Sequence, residues 1–171
     1  VDPFVGRGTT AITSLYLQRR FVGFGIDEIA NQKIRNVITD HVDTSPENWK
    51  IIDGDGCDMD YFKDQSEIID GVFTSPPYYA KAEKYSESDL DLCNMSIEKF
   101  DERINVLFSN LKRLMKRSSY EDKVFYPAIF VVGTARRGKE GIVDMTHTFQ
   151  DIAKKHDFVF WDQIFSEVNN P

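Results

Sequence analysis

Two glycines one residue apart, Gly6 and Gly8, stand in the run Asp2-Pro3-Phe4-Val5-Gly6-Arg7-Gly8-Thr9-Thr10-Ala11. Such a spacing lets the backbone turn tightly from a strand into a helix and lets a ligand approach the main chain closely. Asp27 follows at the end of the next apolar run, where a carboxylate accepts hydrogen bonds from the ribose hydroxyls of a nucleoside ligand. Asp55 closes Ile51-Ile52-Asp53-Gly54-Asp55 and is placed to meet an adenine amino group from the same side of a sheet. The glycine run with Asp27 also fits the dinucleotide fingerprint. Asp2 and Pro3 argue against a nicotinamide enzyme, because a dinucleotide strand runs apolar straight into its first glycine. A carboxylate at that point suits a ligand carrying a sulfonium and an ammonium group, not a pyrophosphate.

The second constellation is Val72-Phe73-Thr74-Ser75-Pro76-Pro77-Tyr78-Tyr79. Consecutive prolines donate no backbone hydrogen bond and hold the chain extended, which leaves the carbonyls of Ser75 and Pro76 free to face a ligand. The amine of a nucleobase is a poor nucleophile because its lone pair is delocalised into the ring. Two acceptors aimed at its hydrogens, the Ser75 hydroxyl and the Pro76 carbonyl, favour a pyramidal nitrogen poised to attack a methyl carbon. Tyr78 is the residue to stack on a base that has left its duplex. Alignment of amine, methyl and sulfur then does much of the work without a metal or a covalent intermediate.

These loops need a parallel sheet to bring them to one edge, and the chain alternates short apolar runs with helical periodicity as a parallel α/β fold does. Helices are predicted over residues 8–18, 29–40, 96–116 and 144–155, and strands over 21–26, 50–53, 68–74, 125–132 and 158–165. The clearest helix is 96–116, where Phe100, Ile104, Leu107, Leu111 and Leu114 recur at steps of four and three behind Ser96 as N-cap. Residues 80–95 are polar, charged and aperiodic, and predict a long loop. Val1 and Asp2 look like the end of a strand, so the 171 residues are expected to form one domain of a longer protein, short of a further strand after Pro171.

Apolar residues make up 41% of the chain, enough for a core, and no run is long enough to span a membrane. The absence of a charged-then-apolar leader and the two separated cysteines, Cys57 and Cys93, suit a reducing cytoplasm with no metal site. His41, His147 and His156 do not cluster either. The net charge of −7 does not suit a protein that grips a nucleic-acid backbone unaided.

At the two motifs the sequence resembles the amino-methyltransferases of DNA, which modify cytosine N4 or adenine N6. Asp2-Pro3-Phe4-x-Gly6-x-Gly8-Thr9-Thr10 is similar to that family's cofactor motif and Ser75-Pro76-Pro77-Tyr78 to its catalytic motif. The resemblance implies a Rossmann-like S-adenosylmethionine-dependent fold, a mostly parallel sheet with helices on both faces. It implies S-adenosyl-L-methionine held by Asp2, Phe4, Gly6, Gly8, Thr9, Thr10, Asp27 and Asp55. Serine at position 75 favours cytosine N4, with adenine N6 second. The order of the two motifs is shared with tRNA guanine-N2 methyltransferases, which usually carry Asp where Ser75 stands, so that activity stays as an alternative. A module that holds cofactor without turnover is another.

DNA is the expected partner, and a recognition domain or subunit outside this chain is expected to supply much of the contact. Within the chain, the candidates are Lys81, Lys84 and Tyr85 of the long loop, and Arg136, Arg137 and Lys139 of a basic turn. Lys112, Arg113, Lys116 and Arg117 close a helix, where positive charge suits the helix dipole with no ligand needed.

Overall fold

A computed structural model of the chain describes residues 1–77, 88–136 and 142–165. It is a mixed α/β molecule whose elements follow the order α1 (Thr9–Tyr16), β1 (Phe21–Gly25), α2 (Glu28–His41), β2 (Trp49–Asp53), β3 (Val72–Thr74), α3 (Ile97–Leu114), β4 (Ala128–Phe130), β5 (Thr134–Arg136), β6 (Ile142–Asp144) and α4 (Met145–Lys155).

The strands form two small parallel sheets and an antiparallel pair. In the first sheet Phe21 of β1 lies opposite Trp49 of β2 and Gly25 opposite Asp53. In the second, Val72 of β3 lies opposite Ala128 of β4 and Thr74 opposite Phe130. Strands β5 and β6 pair in a hairpin, with Thr134 opposite Asp144. Residues 1 and 2 bridge the two parallel sheets. The Asp2 amide donates to Val22 and the Phe24 amide to Asp2, both at 3.0 Å, while Val1 N donates to Gly71 at 2.8 Å and the Phe73 amide to Val1 at 3.2 Å. Backbone hydrogen bonds therefore run without a break in the order β2, β1, residues 1–2, β3, β4. The chain builds outward in one direction from residues 1–2 through β1 to β2, then crosses to the other side for β3 and β4.

Helices cover both faces of the β1–β2 pair. Phe21 and Ile51 pack with Ala11, Leu15, Ile34 and Ile38 of α1 and α2. Their neighbours Val22, Phe24 and Ile52 point the opposite way, toward the larger core built by α3 and α4 around Phe100, Ile104, Leu107, Phe108, Leu111, Phe149 and Ile152. Alternation along each strand assigns successive side chains to opposite faces. On β3 and β4 only one face is covered: Val72, Ala128 and Phe130 join the larger core, whereas Phe73, Ile129 and Val131 are about half exposed.

Local chemistry fixes the helix starts. Asp27 accepts hydrogen bonds from the Ile29 and Ala30 amides at the head of α2, Ser96 from Lys99 at the head of α3, and Asp144 from Thr146 at the head of α4. Helix α1 starts from Gly8 at φ 86°, a left-handed conformation that favours glycine. A Cβ there would lie 2.8 Å from Ile34, so the same glycine lets α1 approach α2.

Three expected strands are corrected. The strand expected over 68–74 shrinks to Val72–Thr74, because the Ile68 and Ile69 amides donate to Leu114 at the end of α3. The one expected over 125–132 starts only at Ala128, since Pro127 has no amide for a ladder and contributes only its carbonyl, to Val72. Residues 158–165 form no strand: Phe158 packs on Phe108, while Val159, Trp161, Ile164 and Phe165 are exposed. An apolar run becomes a strand only where another strand offers an edge. The end of the expected 80–95 loop is also core: Asp91, Leu92 and Cys93 are buried around a short turn, Leu92–Asn94. Among the described residues no helix is long and apolar enough to cross a membrane.

Candidate active site at the carboxyl ends of the parallel strands

Parallel pairing brings four connections to one edge: the glycine loop after residues 1–2, Asp27 after β1, residues 53–58 after β2, and Ser75-Pro76-Pro77 after β3. The glycine loop is pinned at both ends. The Val5 amide donates to Phe24 at 2.9 Å and the Gly8 amide to Val5 at 2.8 Å, and Gly6 takes φ 52°, a second left-handed turn. Thr9 and Thr10 open α1 directly behind it.

Asp2 sits beneath this loop, 2% exposed. Its Oδ1 accepts from the Phe4 amide at 3.0 Å and from the Thr74 hydroxyl at 2.5 Å. Burial pushes its carboxyl above the ordinary aspartate value, against these hydrogen bonds, which act to lower it. The residue thus shapes the loop from within.

The acids on the neighbouring connections differ from one another. Asp27 is exposed, and the oxygen that caps α2 is the same Oδ1 for both amides. Asp53 receives the Asn31 amide nitrogen at 2.8 Å and the Arg35 guanidinium at 2.6 Å. Burial acts to raise its carboxyl, but these two partners outweigh it and hold the group below the ordinary range. Asn31, itself buried, also donates to Gly25 and so ties the ends of β1 and β2 together.

Asp55 is largely enclosed. Its Oδ1 accepts from the Cys57 amide at 2.7 Å, and its Oδ2 pairs with Arg103 of α3 at 2.6 Å. Arg103 also reaches Asp58 at 2.9 Å. Burial opposes its charge, yet the two carboxylates hold the guanidinium more firmly protonated than usual. Nothing in the sequence singles out Arg103, since an arginine on an amphipathic helix is ordinary. Residues 54–57 press against the glycine loop so closely that a Cβ on Gly56 would lie 1.9 Å from the Pro3 carbonyl oxygen. Burial drives the Cys57 thiol well up, so it stays protonated and unreactive.

In the last loop, Thr74 is fully buried, Ser75 is exposed and Pro76 is buried. The Ser75 hydroxyl donates to the Val131 carbonyl at 3.3 Å, and the Val131 amide donates to Thr74 at 2.8 Å. With its proton directed at Val131, the hydroxyl oxygen keeps lone pairs for an incoming donor. Asp2, the glycine loop and the Ser75-Pro76-Pro77 loop are therefore brought together, with Asp27 and Asp55 on the adjoining connections. Two surface concavities, of about 340 and 480 Å³, flank α1 and α2 and do not border Ser75.

Tyr78, Lys81, Tyr85, Arg137 and Lys139 lie outside the described residues, and Arg136 closes β5 instead of lying in a loop. The helix-end cations all have protein partners: Lys112 with Asp157, Arg113 with the Phe62 carbonyl, Lys116 with Asp70 and Arg117 with Glu67. Among the described residues no cluster of three or more His, Cys, Asp or Glu side chains is placed to hold a metal. No protein-family profile, curated protein or solved structure matches this chain.

Proposed function

We propose that this domain transfers a methyl group from S-adenosyl-L-methionine to an exocyclic amino group of a DNA base, cytosine N4 first and adenine N6 second. One observation carries the reading: the glycine loop and the Ser75-Pro76-Pro77 loop leave neighbouring parallel strands whose ends are joined by the Thr74 hydroxyl donating to the Asp2 carboxylate. Counting residues 1–2 as a first strand, the hydrogen-bonded order is 3-2-1-4-5, an order that supports a doubly wound, Rossmann-like reading. In such sheets ligands bind outside the carboxyl ends where the strand order reverses, here between residues 1–2 and β3.

On this reading Gly6 and Gly8 keep the main chain low beneath the cofactor, with Phe4, Thr9 and Thr10 beside it. Asp27 takes the ribose hydroxyls through the oxygen not used in capping. Asp55, held by Arg103, fixes the 53–58 turn against the cofactor loop and presents its remaining lone pairs to the adenine amine. The Ser75 hydroxyl and the Pro76 carbonyl accept from the target amine, Pro77 keeps them rigid, and Tyr78 stacks on the base. Attack by the amine forms the N–C bond as the C–S bond breaks, and the amine proton leaves to solvent. The charge balance and the paired helix-end cations favour a recognition domain or subunit outside this chain for most DNA contact.

Incubation with methyl-labelled cofactor and mixed DNA, followed by digestion to nucleosides, tests the proposal. Label on N4-methylcytosine or N6-methyladenine is the expected result. Label appearing only in added tRNA would select the guanine-N2 alternative, and cofactor binding in calorimetry with no transfer would select the module without turnover.

A further inference from the structure

We propose that the Thr74 hydroxyl is a positioning group for methyl transfer: by donating to the Asp2 carboxylate it sets the spacing between the glycine loop and the Ser75-Pro76-Pro77 loop. The inference rests on the function proposed above and assigns a residue to it that neither motif contains.

The argument starts from where the backbone stops helping. Residues 1–2 and β3 are joined by main-chain hydrogen bonds only as far as Phe73 donating to Val1. One residue further on, the two chains must part, because a crevice at the reversal of strand order needs its two walls to diverge. Asp2 is the last residue before the glycine loop turns away, and Thr74 is the last before Ser75. At that point a side-chain bond continues the connection, Thr74 Oγ1 to Asp2 Oδ1 at 2.5 Å across 72 positions of sequence. Both partners are shielded from water, at 0% and 2% exposure. A short hydrogen bond to a carboxylate in such surroundings is stronger and better directed than one at the surface.

The same Asp2 oxygen accepts from the Phe4 amide, so one atom receives a donor from the glycine loop and one from the end of β3. Thr74 is tied onward to β4 through its carbonyl, which accepts from Val131, and Val131 in turn receives the Ser75 hydroxyl. A chain of hydrogen bonds thus leads from the cofactor loop through Asp2, Thr74 and Val131 to the proposed acceptor of the amine. In-line transfer tolerates little misplacement, and an error of about 1 Å can cost on the order of a hundredfold in rate.

Three variants of the full chain test this with labelled S-adenosyl-L-methionine and mixed DNA. Thr74→Val keeps the shape and loses the donor, Thr74→Ser keeps the donor, and Val72→Ala loosens the same strand without touching the bond. Thr74→Val is expected to lower kcat about ten- to a hundredfold, with the cofactor KM within about threefold of wild type. Thr74→Ser should restore kcat to within about threefold. Val72→Ala, assayed well below its own melting temperature, should keep the wild-type kcat although its Tm falls. Unchanged turnover in Thr74→Val would overturn the inference, as would a Thr74→Ser as impaired as valine, or an equal kcat loss in Val72→Ala. If Thr74→Val does not yield folded protein, Thr74→Ala, which also lacks the donor, takes its place with the same expected and overturning results. A wild-type chain that neither binds the cofactor nor transfers methyl would remove the functional reading and this inference with it. Wild-type transfer beside an indifferent Thr74→Val would remove the inference alone.

Discussion

At Ser75 the orientation of one proton decides what the side chain can offer. Because the hydroxyl donates to Val131, its oxygen keeps lone pairs to accept with, the role that the proposed transfer to an amine requires. Ser75→Ala should reduce transfer about 10²- to 10³-fold, the usual cost of one preorganised polar contact to the reacting group. Calorimetric affinity for S-adenosyl-L-methionine should stay within about threefold. Loss of cofactor binding would mean that the two loops have been given each other's roles. Asp2 carries a second prediction. Its folded pKa is raised by burial, so the folded chain holds the proton longer than the unfolded one. Stability must then fall as pH rises from the ordinary aspartate value, about 3.9, to the folded value, and level off above it. Subtracting the unfolding free energy of Asp2→Asn from that of wild type, by urea titration at each pH, isolates this contribution. A difference that climbed with pH would refute the burial argument.

Among the elements, the strand ends are held by a few specific contacts and not by long ladders. Asn31 of α2 spans the ends of β1 and β2 with two hydrogen bonds from one nitrogen. Asn31→Ala removes one of two donors to the Gly25 carbonyl, which keeps the Gly54 amide, and should cost about 1 kcal/mol, the usual net worth of a hydrogen bond. Urea denaturation monitored by circular dichroism gives the value, and a loss under about 0.5 kcal/mol, the floor for a net hydrogen bond, would show the bridge to be dispensable. Gly56 is the tighter constraint, since an added Cβ meets the backbone of Pro3, which has no side chain to move aside. Gly56→Ala should destabilise by about 3 kcal/mol, at the upper end of overpacking costs. It should also weaken cofactor binding, because the strain falls on the glycine loop.

For the molecule as a whole, charge sets the limit on what it does alone. The net charge of −7 opposes binding to phosphates, and among the described residues the α3-end cations are already paired to Asp157, Asp70 and Glu67. Binding to a plain duplex should be weak, with Kd no tighter than about 10⁻⁵ M at physiological salt. The salt dependence of log K should have a slope no steeper than about −2, as for one or two phosphate contacts. Fluorescence anisotropy across a salt series measures both. A slope near −6 or beyond would show that the chain carries a full DNA-binding face of its own.

The sequence by itself determined the class of fold, the helices and the two loops. Periodicity, capping residues and the Gly and Pro motifs are local signals, and Ser96, Asp27 and Gly8 do at the helix starts what their types predict. It also pointed to a strand end at each motif, from the apolar run before Ser75 and from Val1 and Asp2 before the glycine loop. Tertiary structure alone decided which of those ends are neighbours. The Asp2 to Thr74 hydrogen bond, the Arg103 grip on Asp55 and the Gly56 contact with Pro3 join positions far apart in sequence. No local pattern encodes such pairings, because they depend on which strands share an edge. The same reason explains the misjudged strands: Phe158 to Phe165 has the composition of one, but a strand needs a partner, and partners belong to the fold.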